Sequence, residues 1–420
     1  MDGLLLERAR KLLHANTQTA EHGGRRFRFS VPSVRAYPFQ WFWDSCFHAV
    51  VWSRFDAERA ADELRGLLAW QEESGLIPHV VFWDEAKVSP FAWHYLESPG
   101  RGRWLPVSGK PRTTAGIQPP VIAQAVERVV LAGADGPYLA EVLPSLERYY
   151  RFLATVRDPD GDGLISIISQ FEGGLDYSPA YDEALGVRRA VPASLFARSR
   201  STQVVNKLLA FDVGRIARCF RHHQEDVLVN AVYGQGLRAL ARLAERAGRA
   251  ELAAWASRTA DAATAALLER CYDPGRGLFF NVAGPDERRG TVKTVHSLMP
   301  LVLPDLPPGV AARLVEHLTD PREFWAPYPV PSVALDEPTF TRDHRLRGVR
   351  FIWRGPTSMN TNWFLAGGLR QHGYEEVADS IAARSLELVE RGGFNEFYDP
   401  IGGDPVGAEA FGWATLAVDL

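Results

Sequence analysis

Apolar residues recur every three or four positions along most of this chain, and polar or Gly/Pro breaks separate one recurrence from the next. DAERAADELRGLLAWQEESG opens at a candidate N-cap, Asp56. It places Ala60, Leu64, Leu67, Leu68 and Gln71 on one stripe and stops at Gly75, which predicts an amphipathic helix. PPVIAQAVERVVLAG carries the stripe Ile122, Val126, Val129 and Val130. PYLAEVLPSLERYYRFLATV follows, with Pro137 near its first turn. EDVLVNAVYGQGLRALARLAERAG and RAELAAWASRTADAATAALLERC are joined by a short Gly turn, the connection of antiparallel helix neighbours. GVAARLVEHLTD, NTNWFLAGGLRQHG, YEEVADSIAARSLELVERGG and AFGWATLAVDL continue the series.

The N-terminal MDGLLLERARKLLHANTQ and two less regular segments, 47–52 and 204–221, bring the count to about twelve helices, in pairs. Period-two strands are scarce: GLISII and GLFFNV are the candidates, each short and next to a turn. No repeat of fixed length argues for a solenoid. The expected fold is therefore all-α, an (α/α)6 barrel in which a double ring of helices forms one domain over residues 1–420. The stretches 78–116, 158–198 and 321–356 are long and rich in Trp, Tyr, His and Gly. They are expected to build a site rather than to be disordered, with a loop-rich cap within about 76–116.

Composition narrows the class. Hydrophobic residues make up 46% of the 420, and a formal net charge of −4 with acids and bases interspersed excludes a nucleic-acid or anionic-membrane surface. No apolar run is long enough to span a membrane, and the charged N-terminus lacks the pattern of a secretory signal. Cys46, Cys219 and Cys271 form neither a metal spacing nor a disulfide framework, which fits a reduced cytoplasm. No GxGxxG or P-loop indicates a nucleotide, so no cofactor is expected. The expected partner is a small molecule, and a homo-oligomer is compatible with the sequence. DPDGDG at 158–163 resembles the start of a calcium loop, but its twelfth position is Ser169 where such loops place a bidentate Glu. A tight Asx-rich turn is the better reading, and no metal is expected.

Chemistry concentrates in four stretches. YPFQWFWDSCFHA holds Tyr37, Gln40, Trp41, Trp43 and Asp44; SQFEGGLDYSPAYDEAL holds Glu172 and Asp176. FIWRGPTSMNTNW holds Trp353, Arg354, Asn360 and Trp363, and GGFNEFYDPIGGDPVGAEAFGW holds Glu396, Tyr398, Asp399, Glu409 and Trp413. Flat aromatic faces cover the apolar faces of a sugar ring while carboxylates and amides bind its hydroxyls. A glycosidase needs two carboxyl groups in different protonation states. Asp176, in a Gly/Pro loop beside Tyr177 and Tyr181, suits the protonated acid, because apolar walls penalise its charged form. Glu396 suits the ionised partner, with Glu409 in reserve. Against these stand plainer readings: an acid in such a loop as a turn former, the tryptophans as core, Asp44 as a helix N-cap, and His79 and His94 as structural residues.

QWFWDSCFH, GLDYSP, WRGP…N and NEFYDP…FGW, in that order and at these separations, resemble glycoside hydrolase family 63 and more loosely the family 37 trehalases. The resemblance runs from about Tyr37 to Trp413 and implies an (α/α)6 barrel that hydrolyses α-glycosides with inversion. It implies Asp176 as general acid, with Tyr177 where the family commonly has Asn, and Glu396 as general base. Trp43 and Asp44 match the pair that binds the reacting sugar, and Trp353, Arg354 and Gly355 match the opposite wall. The short length resembles the bacterial members of the family that hydrolyse α-mannosylglycerate or α-glucosylglycerate. For an anionic aglycone of that kind, Tyr37, His79 and Gln118 are the expected polar partners, with Arg101 and Arg103 on a lid. The alternatives are a trehalase-like or oligosaccharide α-glucosidase, a sugar epimerase, and a sugar-binding barrel without catalysis.

Overall fold

The computed structural model describes residues 3–89, 94–99, 111–134, 136–187, 192–342, 345–346, 349–350 and 353–420. Helix Ala57–Leu68 begins where Asp56 accepts a hydrogen bond from the Arg59 amide, and it buries Ala60, Leu64 and Leu67. Its partner is helix Phe42–Trp52, every residue of which is buried. Helix Ile122–Leu131 buries Ile122, Val126, Val129 and Val130 and packs on Gly136–Val156, as the apolar stripes require. Val227–Arg246 lies against Ala250–Ala266, and Met359–Gln371 lies against Glu375–Gly392.

The inner helices touch in succession. Phe42–Trp52 meets Ile122–Leu131, which meets Val227–Arg246. That helix meets the 3-10 segment Val295–Val302, which meets Met359–Gln371. Met359–Gln371 meets the 3-10 segment Gly412–Asp419, which returns to Phe42–Trp52 and also contacts helix Gly3–Ala15. One hydrophobic core runs through all of them, from Leu5 to Val418.

Two expectations change. The region 204–221, read as one less regular helical segment, is divided between helices Pro192–Leu208 and Val213–Cys219, and Val295–Val302, which the periodicity did not mark, adds a further helical segment among the inner ones. Pro300 lies inside Val295–Val302 and denies it α-helical hydrogen bonding, so no long 3.6-residue period marks it in the sequence. The fold is also not purely helical. The hairpin Thr17–His22/Arg25–Ser30 and the pair Asn395–Tyr398/Pro405–Glu409 are antiparallel, and short bridges sit where GLISII and GLFFNV predicted them. Among the described residues, no helix is long and apolar enough to cross a membrane. Arg101 and Arg103 lie outside the described residues.

Glu172 illustrates how the structure handles a buried charge. Its carboxylate receives Arg157 Nη2 at 2.7 Å and Nη1 at 3.0 Å, and the amides of Ile117 and Ile168 at 2.9 and 2.7 Å. This anchors the base of the 158–198 segment, and every lone pair in use is matched by a donor. Replacing Arg157 by Met strands that carboxylate. The expected loss is about 3–5 kcal/mol of folding stability, read from the urea midpoint at unchanged m-value.

Candidate active site

The glycine pair in FEGGLDYSP has a steric cause. A Cβ on Gly174, whose φ is +76°, would sit 2.6 Å from Trp43 Cη2, and one on Gly173 would collide with the Tyr181 hydroxyl. The loop that carries Asp176 is thus laid directly on the Trp43 indole and on Tyr181. Tyr181 in turn donates to Asp226 Oδ2 at 2.9 Å and lies 3.1 Å from His296 Nε2. Tyr177, with φ +63°, is held from both sides: its amide donates to Gln170 Oε1 at 3.0 Å, and its carbonyl accepts from Arg354 Nη1 at 2.7 Å. Arg354 also forms a two-pronged ion pair with Asp182, at 3.1 and 2.5 Å. The WRGP segment is therefore strapped to the acid loop, and Arg354, 4% exposed, acts through that loop's shape.

Glu396 arrives from the other side of the chain. It sits on strand Asn395–Tyr398 at a register irregularity between Asn395 and Phe397, the kind of bulge that re-aims a side chain. Its Oε1 accepts the Tyr37 hydroxyl and its Oε2 the Ala408 amide, each at 2.9 Å. Gly407, φ +86°, is glycine because a Cβ there would lie 2.8 Å from Glu396 Oε2. Glu409, the reserve candidate, is exposed.

These two acids share one electrostatic environment. Burial, and then the negative charge of Glu396, push the Asp176 carboxyl up to about 8. Asp44, in the first turn of helix Phe42–Trp52, is pushed well above the carboxylate range by burial first and then by Glu396 and Asp176. Its Oδ1 is buried with no hydrogen-bond partner among the described residues. The charges of these carboxyl groups thus act on one another, an arrangement that keeps a proton available near neutral pH.

The other expected residues either adjoin these acids or support the elements that carry them. Trp41, partly exposed, meets Tyr37 and His79 edge to face at ring distances of 5.9 and 5.1 Å. Gln118 Oε1 accepts the Trp43 amide at 3.0 Å. Trp43 and Trp353, 2% and 1% exposed, cluster with Trp413 beneath the acids, and Trp413 Nε1 donates to the Glu396 carbonyl at 3.1 Å. Gly355, in the strapped segment, lies so close to the Thr341 carbonyl that a Cβ has no room. Trp363 is not brought to this group. Its Nε1 donates to Asp419 at 2.9 Å and its ring packs on Phe47 and Phe364. The side chain of His94 lies outside the described residues.

Sequence reading missed Arg200 and Glu97. Glu97 is 5% exposed with neither oxygen bonded among the described residues. It is pushed well up by burial and by Asp176, and pulled down by Arg200. Arg200 lies over the Phe196 ring at 4.9 Å, has a buried Nη1 without a hydrogen-bond partner among the described residues, and places its positive charge on Tyr177, next to Asp176. Neither belongs to a recognisable motif; only their positions in space connect them to the site.

A half-buried acid kept protonated by desolvation and by a neighbouring carboxylate, with aromatic rings and amides around them, is the equipment of a glycoside hydrolase. The chain belongs to that class: residues 37–414 match the family of mannosylglycerate hydrolase MGH1-like glycoside hydrolase domains. It is 31% identical to the mannosylglycerate hydrolase of Thermus thermophilus over 94% of this chain and 96% of that one. It is 27% identical to the glucosylglycerate hydrolase of Mycolicibacterium hassiacum over 91% of each. The solved structure of a GH63 mannosylglycerate hydrolase from Thermus thermophilus, in complex with glucose, superposes with a TM-score of 0.83 at 31% identity, covering 99% of both chains.

The raised acidity constant has a consequence for stability. Folded Asp176 keeps its proton up to about pH 8, whereas an unfolded aspartate releases it near 3.9. Between those values the folded state binds more protons, so this group's contribution to stability falls as pH rises through the window. Asp176→Asn removes that slope. Its Tm is expected to exceed the wild type's at pH 8 and to approach it at pH 4, by calorimetry at both pH values.

Proposed function

We propose that this chain hydrolyses a small α-linked glycosylglycerate, α-mannosylglycerate or α-glucosylglycerate, with inversion, inside a closed (α/α)6 double ring. The succession of inner contacts from Phe42–Trp52 round to Gly412–Asp419 supports the ring. The observation that carries the mechanism is the pairing of Asp176 with Glu396, in which the charge of one keeps the proton on the other.

Asp176 donates its proton to the glycosidic oxygen as the bond to the anomeric carbon breaks. Glu396, held by Tyr37 and Ala408, takes a proton from the water that attacks the opposite face. The separation that leaves room for that water is roughly 6.5–9.5 Å. Asp44, with its unpartnered oxygen, accepts sugar hydroxyls, and the face of Trp41 covers the ring. The glycerate carboxylate pairs with Arg200, the cation beside Tyr177 and Glu97, with Gln118 and His79 completing the polar wall.

The decisive experiment follows the released sugar by proton NMR. The first product anomer should be β, and Asp176→Asn and Glu396→Gln should each reduce kcat by several orders of magnitude in a folded protein. Release of an α anomer, or a product epimerised without cleavage, overturns the mechanism. The alkaline limb of kcat/KM reports the acid of the free enzyme and is expected near pH 8, with the residual activity of Glu396→Gln showing that limb at lower pH. Arg200→Leu should raise KM for a glycosylglycerate at least about tenfold, the order of one lost charge-assisted hydrogen bond, and leave kcat/KM for an uncharged aryl α-glycoside nearly unchanged.

A further inference from the structure

Gly173 and Gly174 are glycines for different reasons. Gly174 has a φ of +76°, where other side chains are strained. Gly173 has φ −78° and ψ −11°, a conformation open to any residue. What excludes a side chain there is a single group. A Cβ on Gly173 would collide with the Tyr181 hydroxyl and stand 3.0 Å from Tyr181 Cζ and 3.5 Å from Asp226 Oδ2. Asp176 lies between Gly173 and Tyr181 in the chain. Within this turn the Ser178 amide donates to the Leu175 carbonyl at 3.0 Å, and the Tyr181 amide to the Ser178 carbonyl at 3.1 Å. The loop that carries the acid therefore closes on the phenol of its own 3-10 turn, Pro179–Tyr181.

That phenol is fixed from below. Tyr181 is wholly buried, so it offers no surface to a substrate. Its hydroxyl donates to Asp226 Oδ2 at 2.9 Å and lies 3.1 Å from His296 Nε2, which itself stands 3.3 Å from the same carboxylate oxygen. Burial and then the charge of Asp226 push the phenol well up, so it keeps the proton it donates. Asp226 Oδ2 also accepts Asn281 Nδ2 at 2.9 Å. Its Oδ1 accepts the Val229 amide at 2.9 Å, as the cap of helix Val227–Arg246. His296 belongs to Val295–Val302, and its Nδ1 lies 3.0 Å from Thr294 Oγ1. The hydroxyl is thereby held at the junction of two inner segments that pack on each other.

Given the reading of Asp176 as the general acid, we propose that the Tyr181 hydroxyl is its positioning group: Gly173 rests on that oxygen, which sets how far the loop extends Asp176 toward the glycosidic oxygen, while Asp226 and His296 tie the oxygen to the inner segments. A tyrosine suits the task because a rigid ring carries its hydroxyl on two torsions. Removing the oxygen leaves room for the loop to sink, and misplacing a reacting group by about 1 Å costs on the order of a hundredfold in rate. Tyr181 touches no reacting atom, so its loss acts through the geometry of the acid. A leaving group that departs without taking a proton escapes that penalty.

The test is a double-mutant cycle in the full chain, with kcat and KM measured for the glycosylglycerate and for the α-glycosyl fluoride of the same sugar, whose leaving group departs as an anion. Tyr181→Phe should lower kcat for the glycosylglycerate roughly tenfold to a hundredfold with KM nearly unchanged, and lower it much less for the fluoride. Gly173→Ala should lower kcat further, because its methyl strikes the hydroxyl. The double variant should be more active than Gly173→Ala alone: the methyl takes the volume of the missing oxygen and meets the Phe ring carbon at 3.0 Å, a contact that a small shift relieves. Damage to two unrelated features would add instead. Wild-type kcat in Tyr181→Phe overturns the proposal, as do equal losses on the two substrates or a double variant no better than Gly173→Ala. Should Gly173→Ala not fold, Tyr181→Phe on the two substrates decides; should the wild type not turn over the fluoride, the cycle decides. An active Asp176→Asn is the failure of the acid assignment. An inactive Asp176→Asn beside a fully active Tyr181→Phe is the failure of the positioning role alone.

Discussion

The mutual repulsion of two carboxyl groups, Asp176 and Glu396, is the constraint on which the candidate site of this protein depends. Asp176 holds a proton near neutral pH because its ionised form would be desolvated and would face Glu396. Neither cause alone defines a glycosidase. Burial without a partner makes an inert neutral acid, and a partner without burial leaves both groups ionised. The surrounding frame exists to keep the two together against that repulsion. Trp43 and Tyr181 fill the volume below the two glycines, Arg354 straps the loop from above, and Gly407 lets Glu396 settle against the Ala408 amide.

The contrast with the other buried acids sharpens the assignment. Glu172 has Arg157 and two backbone amides. Glu63 has Arg59 and Ser30 and is held below the usual carboxylate range by them and His48, against the opposing effect of burial. Asp226 has Asn281, Tyr181 and His296, and is likewise held low, chiefly by His296. Where an acid serves the fold, donors surround it, since an unpaired buried charge costs several kcal/mol. Among the described residues no cation is seen to hold Asp176 or Asp44 low; burial and the charge of Glu396 instead push both up. Native structures tolerate that stress chiefly where chemistry or a ligand uses it.

Much of the frame was legible in the chain because it follows from local periodicity. The stripes of Ala57–Leu68 and Ile122–Leu131 and the Asp56 cap read directly as helices. The inner segment Val295–Val302 was not read, whereas Gly412–Asp419 was read as a helix and is one of the 3-10 type. They are short 3-10 turns whose place in the succession depends on the neighbours they touch, and one contains a proline that breaks the helical pattern. Arg200 and Glu97 carried no signal either, because a single charge on a helix looks the same whether it faces solvent or a site.

By itself, the sequence determined the helical pairs and the four aromatic and acidic stretches, and it put Asp176 and Glu396 forward as candidates, since spacing and glycine pairs are local properties of a chain. Only the tertiary structure decided that Arg354 spends its charge on Asp182 and the Tyr177 carbonyl, and that Trp363 belongs to the Asp419 corner. The physical reason is the range of the forces involved. Helix formation is settled within a few residues, whereas electrostatic coupling and close packing act through space between groups that the chain order keeps far apart.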